Sequence, residues 1–203
     1  MENIYFLTSN IQKASYVASF GVKVKKFEVD IPEVLSDQVE VVVLYKAKSC
    51  GLDNILVEDT SLDVEDAHFL GTEIKHVYEE IKDDASFHGK KAVWRVSMCV
   101  RQGDSYYVAT GELSGHLCYP ALDYGYHFNK IFKVSVGGSE RFFEELSEEE
   151  KNTYGPRFLA LKKLQKAFAT KDYAEISVLP ASLVPEWTGE YQVEKKAVKY
   201  AKL

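Results

Sequence analysis

Cysteine is scarce in this sequence and long apolar runs are absent, which excludes several classes of protein. The chain has three cysteines among 203 residues, too few and too widely spaced for a disulfide framework or a four-ligand zinc site. No segment approaches the roughly 18 consecutive apolar residues that a membrane span needs, and the first apolar run is too short for a signal peptide. These absences predict a protein of the reducing cytoplasm that has no membrane partner.

Positive charge is also in short supply. Lys and Arg number 25 against 31 Asp and Glu, and the formal net charge is -6. This sign is unfavourable for a general nucleic-acid-binding surface, so we expect no nucleic-acid partner and expect any bound anion to be held by a few local cations. Hydrophobic residues (46%) and charged residues (28%) occur in the proportions of a folded globular protein, and the length suits one domain.

Hydrophobic periodicity predicts an α/β fold. Strands are predicted at residues 3–8, 22–29, 54–57, 92–100, 106–112 and 131–136. Helices are predicted at residues 10–20, 37–50 and 156–170. An apolar stretch at 176–184 follows the last helix, and the sequence contains no internal repeat and no Gly- or Pro-rich linker.

The first candidate for chemistry is the motif Thr8-Ser9-Asn10-x-x-Lys13, which lies where a predicted strand ends and a helix begins. Free backbone N–H groups and the helix dipole at such a junction can face an anion, and Lys13 can add a full positive charge. The same residues are also typical of an ordinary helix cap. The sequence has no G-x-x-x-x-G-K-[ST] run, so a P-loop NTPase is not indicated.

Two acidic motifs follow the next predicted strands. Asp30-Ile31-Pro32-Glu33 follows strand 22–29, and Val57-Glu58-Asp59-Thr60 stands at the end of strand 54–57. Carboxylates at the ends of neighbouring strands can converge on one hard cation, and Mg²⁺ prefers one or two carboxylates together with water and phosphate oxygens. Acidic residues at strand ends are equally common on ordinary surfaces, so neither motif is specific by itself.

An aromatic cluster, Asp123-Tyr124-Gly125-Tyr126-His127-Phe128, surrounds a glycine. Aromatic faces can stack on a purine, and glycine permits close backbone approach, although a packed loop is the alternative. Lys151 and Arg157 supply hydrogen-bond donors at the entrance of the last predicted helix. Each of these signals is weak alone, and their order along the chain is more informative.

Six motifs occur in an order and spacing that resemble one family. They are Thr8-Ser9-Asn10-x-x-Lys13, Asp30-Ile31-Pro32-Glu33, Val57-Glu58-Asp59-Thr60, the Gly111-x-x-x-Gly115 pair, Tyr124-Gly125-Tyr126 and Glu149-Glu150-Lys151-Asn152. On these residues the sequence is similar to inosine triphosphate pyrophosphatases, which hydrolyse deaminated purine nucleoside triphosphates (ITP, dITP and XTP) to the monophosphate and pyrophosphate. The resemblance covers about residues 3–168.

The resemblance implies an α/β fold of two lobes, with an elongated central mixed β-sheet flanked by helices and a nucleotide cleft between the lobes. Residues 1–170 would form this single pyrophosphatase domain, and residues 171–203 would be a C-terminal extension that adds a strand, closes the cleft or merely trails. The resemblance also implies a Mg²⁺-dependent, homodimeric enzyme that cleanses the nucleotide pool and whose partner is a purine nucleoside triphosphate substrate.

The resemblance further implies a role for each matched residue. Asp59 would be the base for the attacking water, and Lys13 and Lys46 would be the catalytic cations at the phosphates. Mg²⁺ would be held by Glu33 and Asp59, with Glu58 beside them. The implied substrate-binding positions are Thr8, Ser9, Asn10, Lys13, Thr60, Tyr124, Gly125, Tyr126, His127, Lys151 and Arg157. Among these, Tyr124 would stack on the base, and Lys151 and Arg157 would contact its edge.

The base pocket departs from the family pattern. The usual aromatic-Gly-aromatic-Asp-Pro run is replaced by Tyr124-Gly125-Tyr126-His127-Phe128, and the usual Ser-His-Arg by Gly155-Pro156-Arg157. Pro156 has no side-chain donor and no backbone N–H, so it cannot donate a hydrogen bond to a 6-keto oxygen. Two alternatives therefore stand beside the family function. One is the same reaction with a shifted base specificity, in which His127 or Tyr154 recognises the base, and the other is a catalytically weak nucleotide-binding homologue.

Overall fold

A mixed β-sheet with helices packed against it forms the centre of the molecule. A computed structural model of the protein describes residues 1, 3–26, 31–67 and 71–191. Its strands are β1 (Tyr5–Thr8), β2 (Lys23–Lys26), β3 (Ile55–Val64), β4 (Lys91–Gln102), β5 (Ser105–Leu117), β6 (Phe132–Val136), β7 (Ser139–Phe142) and β8 (Ser177–Pro180). Its α-helices are α1 (Ile11–Ala18), α2 (Val39–Ser49), α3 (Ile74–Ile81), α4 (Glu148–Tyr154) and α5 (Pro156–Thr170).

The sheet has the strand order β2-β1-β3-β4-β5-β6-β7, and β8 also pairs with β5. Strand β1 is parallel to β2 and β3, whereas the other pairings are antiparallel. The long hairpin of β4 and β5 makes the sheet elongated, and β6 and β8 pair with opposite ends of β5. The predicted elongated mixed sheet with flanking helices is therefore confirmed.

Short-range signals in the sequence explain where the helices begin. The Asn10 side chain accepts hydrogen bonds from the backbone N–H groups of Gln12 (3.0 Å) and Lys13 (3.2 Å), and so caps α1. Pro156 occupies the first position of α5, where a missing N–H has no cost. The three predicted helices are confirmed. The structure adds two helices that were not predicted, α3 and α4, and α4 begins at a Ser147–Glu150 capping box.

Strand β3 is longer than predicted. The sequence prediction ended this strand at Glu58 and Asp59, because two adjacent carboxylates usually mark a surface. The strand instead continues to Val64, and both carboxylates are buried within it. This part of the prediction was wrong because each carboxylate has a cationic partner in the fold, which offsets the cost of burying it.

Side chains alternate along β3 between two hydrophobic clusters. Leu56 and Leu62 belong to a cluster that also contains residues of α1, α3 and α5. Ile55 and Val57 belong to a second cluster with residues of α2 and with Val184. Because successive side chains of a strand point to opposite faces, the carboxylates that follow, at positions 58 and 59, lie on different faces of the sheet.

Some predicted features lie outside the described residues. These are Asp30, the end of the second predicted strand at 27–29, and residues 192–203 of the predicted extension. The rest of the extension, up to Tyr191, is described and contributes β8 to the sheet. Within the described residues, none of the helices has the length and apolar character needed to cross a membrane.

Candidate active site

The first motif forms a tight junction between β1 and α1. The Thr8 hydroxyl accepts a hydrogen bond from the Asn10 backbone N–H (3.1 Å), while the Asn10 side chain caps the helix. The Asn10 amide nitrogen also donates to the Tyr126 hydroxyl (3.3 Å), and Ser9, between Thr8 and Asn10, is exposed. The fold therefore brings the predicted phosphate motif into contact with the predicted base motif, 116 residues later in the chain.

A buried ion cluster stands on one face of β3. Glu58, whose side chain is only 2% exposed, accepts two hydrogen bonds from Arg157, at 2.8 Å from Nε and 3.1 Å from Nη2. The Lys13 ammonium lies 2.7 Å from the Glu58 Oε1 atom. Burial alone would raise the pKa of Glu58, but Arg157 and Lys13 lower it to about 2. Arg157 also lies over the ring of Tyr16, with its guanidinium carbon 5.7 Å from the ring centroid.

A second ion cluster stands on the other face of β3. The Lys46 ammonium, carried by α2, lies 2.5 Å from Glu33 Oε1 and 3.4 Å from Asp59 Oδ2. It also donates to the backbone carbonyl of Glu58 (3.3 Å), so the two clusters adjoin. Lys75, from α3, pairs with the other oxygen of Glu33. Burial would raise the pKa of Glu33, but Lys46 and Lys75 lower it to about 2. Burial would lower the pKa of Lys46, but Asp59 and Glu33 raise it.

The structure brings together two of the three carboxylates expected at the metal. Glu33 and Asp59 share the ammonium of Lys46, so both face the position of one cation. The Glu58 carboxylate points to the opposite face of β3 and is occupied by Lys13 and Arg157. In the described ranges, no group of three or more His, Cys, Asp or Glu side chains has the arrangement of a metal site. The Glu33–Asp59 pair supplies the oxygen donors that Mg²⁺ prefers, and so these two residues fit such an ion.

The aromatic motif forms an exposed loop. Tyr124 and Tyr126 are 54% and 50% exposed, which leaves their rings accessible to a ligand. Gly125 has φ +98°, and a Cβ atom there would lie 2.3 Å from the Glu144 side chain. The Glu144 carboxylate accepts hydrogen bonds from the Tyr126 backbone N–H (3.4 Å) and from the Asn129 side chain (3.3 Å).

Glu144 is a feature that the sequence analysis missed. The motif itself lacks the expected carboxylate after its second aromatic residue, and a glutamate 18 residues later supplies one to the same loop. Nothing in the local sequence indicates this, because Glu144 is one of two adjacent glutamates in a short 3-10 turn (Phe143–Glu145). Only the packing of that turn against the loop distinguishes it.

His127 lies at the inner end of the aromatic loop. Its ring centroid is 4.3 Å from that of Tyr78 on α3, and its φ is +49°. Burial lowers the pKa of His127, so the neutral ring is favoured at neutral pH. One nitrogen of the ring is hydrogen-bonded to the backbone of Lys75, which leaves the other nitrogen for a ligand.

The remaining predicted positions make fewer contacts with the two ion clusters and the aromatic loop. The Lys151 ammonium lies 3.6 Å from Glu148 within α4, and Tyr154 is exposed at the end of that helix. The Thr60 backbone N–H donates to Asp59 Oδ1 (2.7 Å). The Thr60 hydroxyl oxygen is buried and has no hydrogen-bond partner in the described part of the chain.

The comparisons with known proteins agree with the motifs. A model of the Ham1 family matches residues 4–167. The chain belongs to the Ham1 family. The resemblance inferred from the six motifs is therefore confirmed, and the family match ends just before the C-terminus of α5.

Relatives of this Ham1 chain carry pyrophosphatase names. A dITP/XTP pyrophosphatase of Methanopyrus kandleri is 28% identical in an alignment of 177 positions that covers 79% of this chain and 93% of that protein. An inosine triphosphate pyrophosphatase of Schizosaccharomyces pombe is 27% identical in an alignment of 180 positions that covers 81% of this chain and 94% of that protein. These names are those of the enzyme class that the sequence motifs led us to expect.

Solved structures of other Ham1 proteins have the same fold. The Staphylococcus aureus Ham1 protein superposes with a TM-score of 0.61 at 17% identity, covering 83% of this chain and all of that chain. A HAM1 protein from Coxiella burnetii gives a TM-score of 0.59 at 18% identity, over 83% of this chain and 99% of that chain. At this identity the likeness concerns the fold, and it confirms the predicted α/β architecture.

Proposed function

We propose that this protein is a Mg²⁺-dependent nucleoside triphosphate pyrophosphatase that converts ITP, dITP and XTP to the monophosphate and pyrophosphate. The observation that carries the proposal is the sharing of Lys46 by Glu33 and Asp59 in a chain of the Ham1 family. Two carboxylates and several cations at one place are what hydrolysis of a phosphoanhydride requires, since the reaction depends on charge neutralisation and positioning. The pyrophosphatase names of the relatives support the same reaction.

We assign the phosphate end of the substrate to the cluster of Glu33, Asp59 and Lys46, together with Lys13 from the adjoining cluster. Glu33 and Asp59 would hold Mg²⁺, which would offset phosphate charge when bound. Lys46 holds these two carboxylates in place and supplies a positive charge beside the phosphates. Asp59 is the base that accepts the proton of the attacking water. Lys13 stands one turn into α1, where the helix N-terminus favours an anion.

We assign the base to the aromatic loop. The exposed rings of Tyr124 and Tyr126 provide the stacking faces, and the contact between Tyr126 and Asn10 links the loop to the phosphate motif. Lys151 and Arg157 supply donors for a 6-keto oxygen. Arg157 can do this only with an N–H that does not bond to Glu58. Its guanidinium group has five N–H donors, and Glu58 accepts two of them, so three remain.

The test is release of pyrophosphate from a panel of ITP, XTP, dITP, dUTP, GTP and ATP with Mg²⁺, with a parallel series in EDTA. We expect preferential cleavage of ITP, dITP and XTP and no cleavage in EDTA. Release of inorganic phosphate in place of pyrophosphate would contradict the assigned bond, because cleavage between the α and β phosphates leaves pyrophosphate intact. No turnover of any nucleotide would favour the nucleotide-binding homologue.

A second candidate is the same reaction with a shifted base specificity. It is favoured by His127, which lies against Tyr78 at the inner end of the aromatic loop and keeps one ring nitrogen for a ligand, and by Pro156, which offers no donor. The same panel separates the two candidates, because a shifted enzyme would prefer a nucleotide other than ITP, dITP or XTP. The homodimer and the cytoplasmic location stay predictions, and sedimentation of the purified protein tests the first.

A further inference from the structure

We propose that residues 171–191, here called the C-terminal strap, position Glu33 in the candidate active site, and that Trp187 is the residue through which they do so. The proposal rests on the proposed function for the role of Glu33. The Ham1 family match ends at residue 167, and the Methanopyrus kandleri relative is matched over 93% of its own length. The strap is therefore an addition to the part of this chain that is shared with the family.

The strap begins by joining the sheet and then crosses to α2. Strand β8 pairs with β5, and Val184 enters the hydrophobic cluster that α2 forms with β3. The Lys48 ammonium on α2 donates to the backbone carbonyls of Val184 (3.1 Å) and Pro185 (2.9 Å). The Trp187 ring then packs edge-on against Tyr45, with 5.0 Å between the ring centroids. These contacts fix the strap on the helix that carries Lys46.

After Trp187 the strap makes a compact turn. The indole Nε1–H donates to the Glu190 carbonyl (2.8 Å), which closes the turn. A Cβ atom at Gly189 would lie 2.7 Å from the Trp187 ring, so a side chain there cannot be added without displacing the indole. The position of the Glu190 carbonyl is therefore set by the indole, which is itself held by Tyr45.

The same carbonyl holds the segment that carries Glu33. The Leu35 backbone N–H donates to the Glu190 carbonyl (2.8 Å), and Val34 forms an antiparallel bridge with Tyr191. Residues 31–36 contain no helix or strand of their own, so contacts from elsewhere must fix their backbone. Glu33 is adjacent to the bridged residue Val34, which is fully buried.

The strap therefore connects both members of the Glu33–Lys46 pair. It contacts α2 at Tyr45, the neighbour of Lys46, and it contacts the Glu33 segment at Val34 and Leu35. Loss of the strap would remove the contacts that hold Val34 and Leu35 relative to α2, and the segment would keep only its more distant backbone anchor, the hydrogen bond from the Thr72 hydroxyl to the Ser36 carbonyl (2.7 Å). Displacement of a positioning group by about 1 Å can lower an enzyme's rate by about two orders of magnitude, so this connection matters for the proposed metal pair.

The experiment compares Trp187→Ala, Gly189→Ala and Trp187→Phe with the wild-type protein, with Leu183→Ala as the matched control. Leu183 lies in the same strap but is 71% exposed. The first readout is hydrogen exchange of the Leu35 amide, which we expect to speed up at least about ten-fold in Trp187→Ala and Gly189→Ala. Exchange in β4 is the internal reference for global unfolding. Leu183→Ala is expected to have wild-type exchange rates both at the Leu35 amide and in β4.

The second readout is steady-state cleavage of ITP at varied Mg²⁺. We expect Trp187→Ala to need more Mg²⁺ for its half-maximal rate and to lose about ten-fold in kcat/KM. Trp187→Phe keeps the ring contact with Tyr45 but lacks the N–H that closes the turn, so it should recover only part of the loss. A purely stabilising strap would change neither the Mg²⁺ requirement nor kcat/KM of the folded enzyme.

The outcomes separate this inference from the proposed function. Wild-type exchange of the Leu35 amide in both Trp187→Ala and Gly189→Ala would overturn the anchoring of the Glu33 segment, whatever the activity. Faster exchange with an unchanged Mg²⁺ requirement and kcat/KM would overturn the positioning role.

If the wild type cleaves no nucleotide, the proposed function fails, and the exchange of Leu35 still decides whether the strap holds this segment. If Trp187→Ala unfolds, faster exchange in β4 will reveal it, and the decision passes to Gly189→Ala and Trp187→Phe.

Discussion

Arg157 and Glu58 form a two-point ion pair across 99 residues of sequence, with Nε and Nη2 of the guanidinium bonded to the two carboxylate oxygens. The pair joins the first turn of α5 to the middle of β3. Lys13 binds the same carboxylate, so one buried residue holds two of the cations that the family resemblance implies for substrate binding. We therefore regard Glu58 as the group that positions Lys13 and Arg157.

Replacement of Glu58 tests this arrangement through stability. Glu58→Gln leaves the buried ends of Lys13 and Arg157 without a counter-charge, and breaking a buried ion cluster in this way costs about 3–5 kcal/mol. Urea unfolding should show this loss. The control is Glu112→Gln on β5. Glu112 is more exposed than Glu58 and pairs with Arg95, so this substitution should lower the free energy of unfolding by less than about 1 kcal/mol. Equal unfolding midpoints for Glu58→Gln and the wild type would contradict the role assigned to Glu58.

Stability should also fall at acidic pH. The folded-state pKa values of Glu58 and Glu33 are lowered from 4.5 to about 2. A carboxyl group with a lowered folded-state pKa stabilises the protein fully above its unfolded pKa and loses this contribution as the pH falls toward the folded value. We expect the urea midpoint, measured in EDTA, to decrease between pH 5 and pH 2. Glu58→Gln should show a flatter dependence, and an unchanged slope in that variant would exclude Glu58 as a source of the effect.

Asp59 is expected to be essential for turnover but not for folding. Asp59→Asn keeps the shape of the side chain and removes the negative charge and the base, so the rate of ITP cleavage should fall by at least about 10²-fold. The far-UV circular dichroism spectrum should remain that of the wild type. Asp63→Asn is the control, because Asp63 lies on the same strand but pairs with Arg95 away from Lys46. Wild-type activity in Asp59→Asn would refute the assigned role.

Glu144 is expected to affect substrate binding through the aromatic loop. Glu144→Ala removes the acceptor for the Tyr126 backbone N–H and for Asn129. A lost hydrogen bond to a charged acceptor at a partly exposed site costs on the order of 1 kcal/mol, so KM for ITP should rise several-fold while kcat changes little. Glu140→Ala, at an exposed position of β7, is the control. A lower kcat at unchanged KM would assign Glu144 to another step.

Much of the secondary structure was predictable because its signals are local. Apolar periodicity identified α1, α2, α5 and the hairpin of β4 and β5, and capping residues such as Asn10 and Pro156 marked where helices begin. The end of β3 was mispredicted because burial of its two carboxylates depends on cations from distant parts of the chain. Helix α3 was missed although its buried apolar residues Ile74, Val77, Tyr78 and Ile81 recur at helical spacing, so in this case the signal was local and the sequence analysis overlooked it.

The sequence alone determined which residue types are available and in what order, and this order was enough to identify the Ham1 family. Only the tertiary structure decided how those residues pair. It placed Glu58 with Arg157 and Lys13 on one face of β3, and Asp59 with Lys46 on the other. The physical reason is that helix caps and strand alternation are set by neighbouring residues, whereas ion pairs between distant segments are set by sheet register and helix packing.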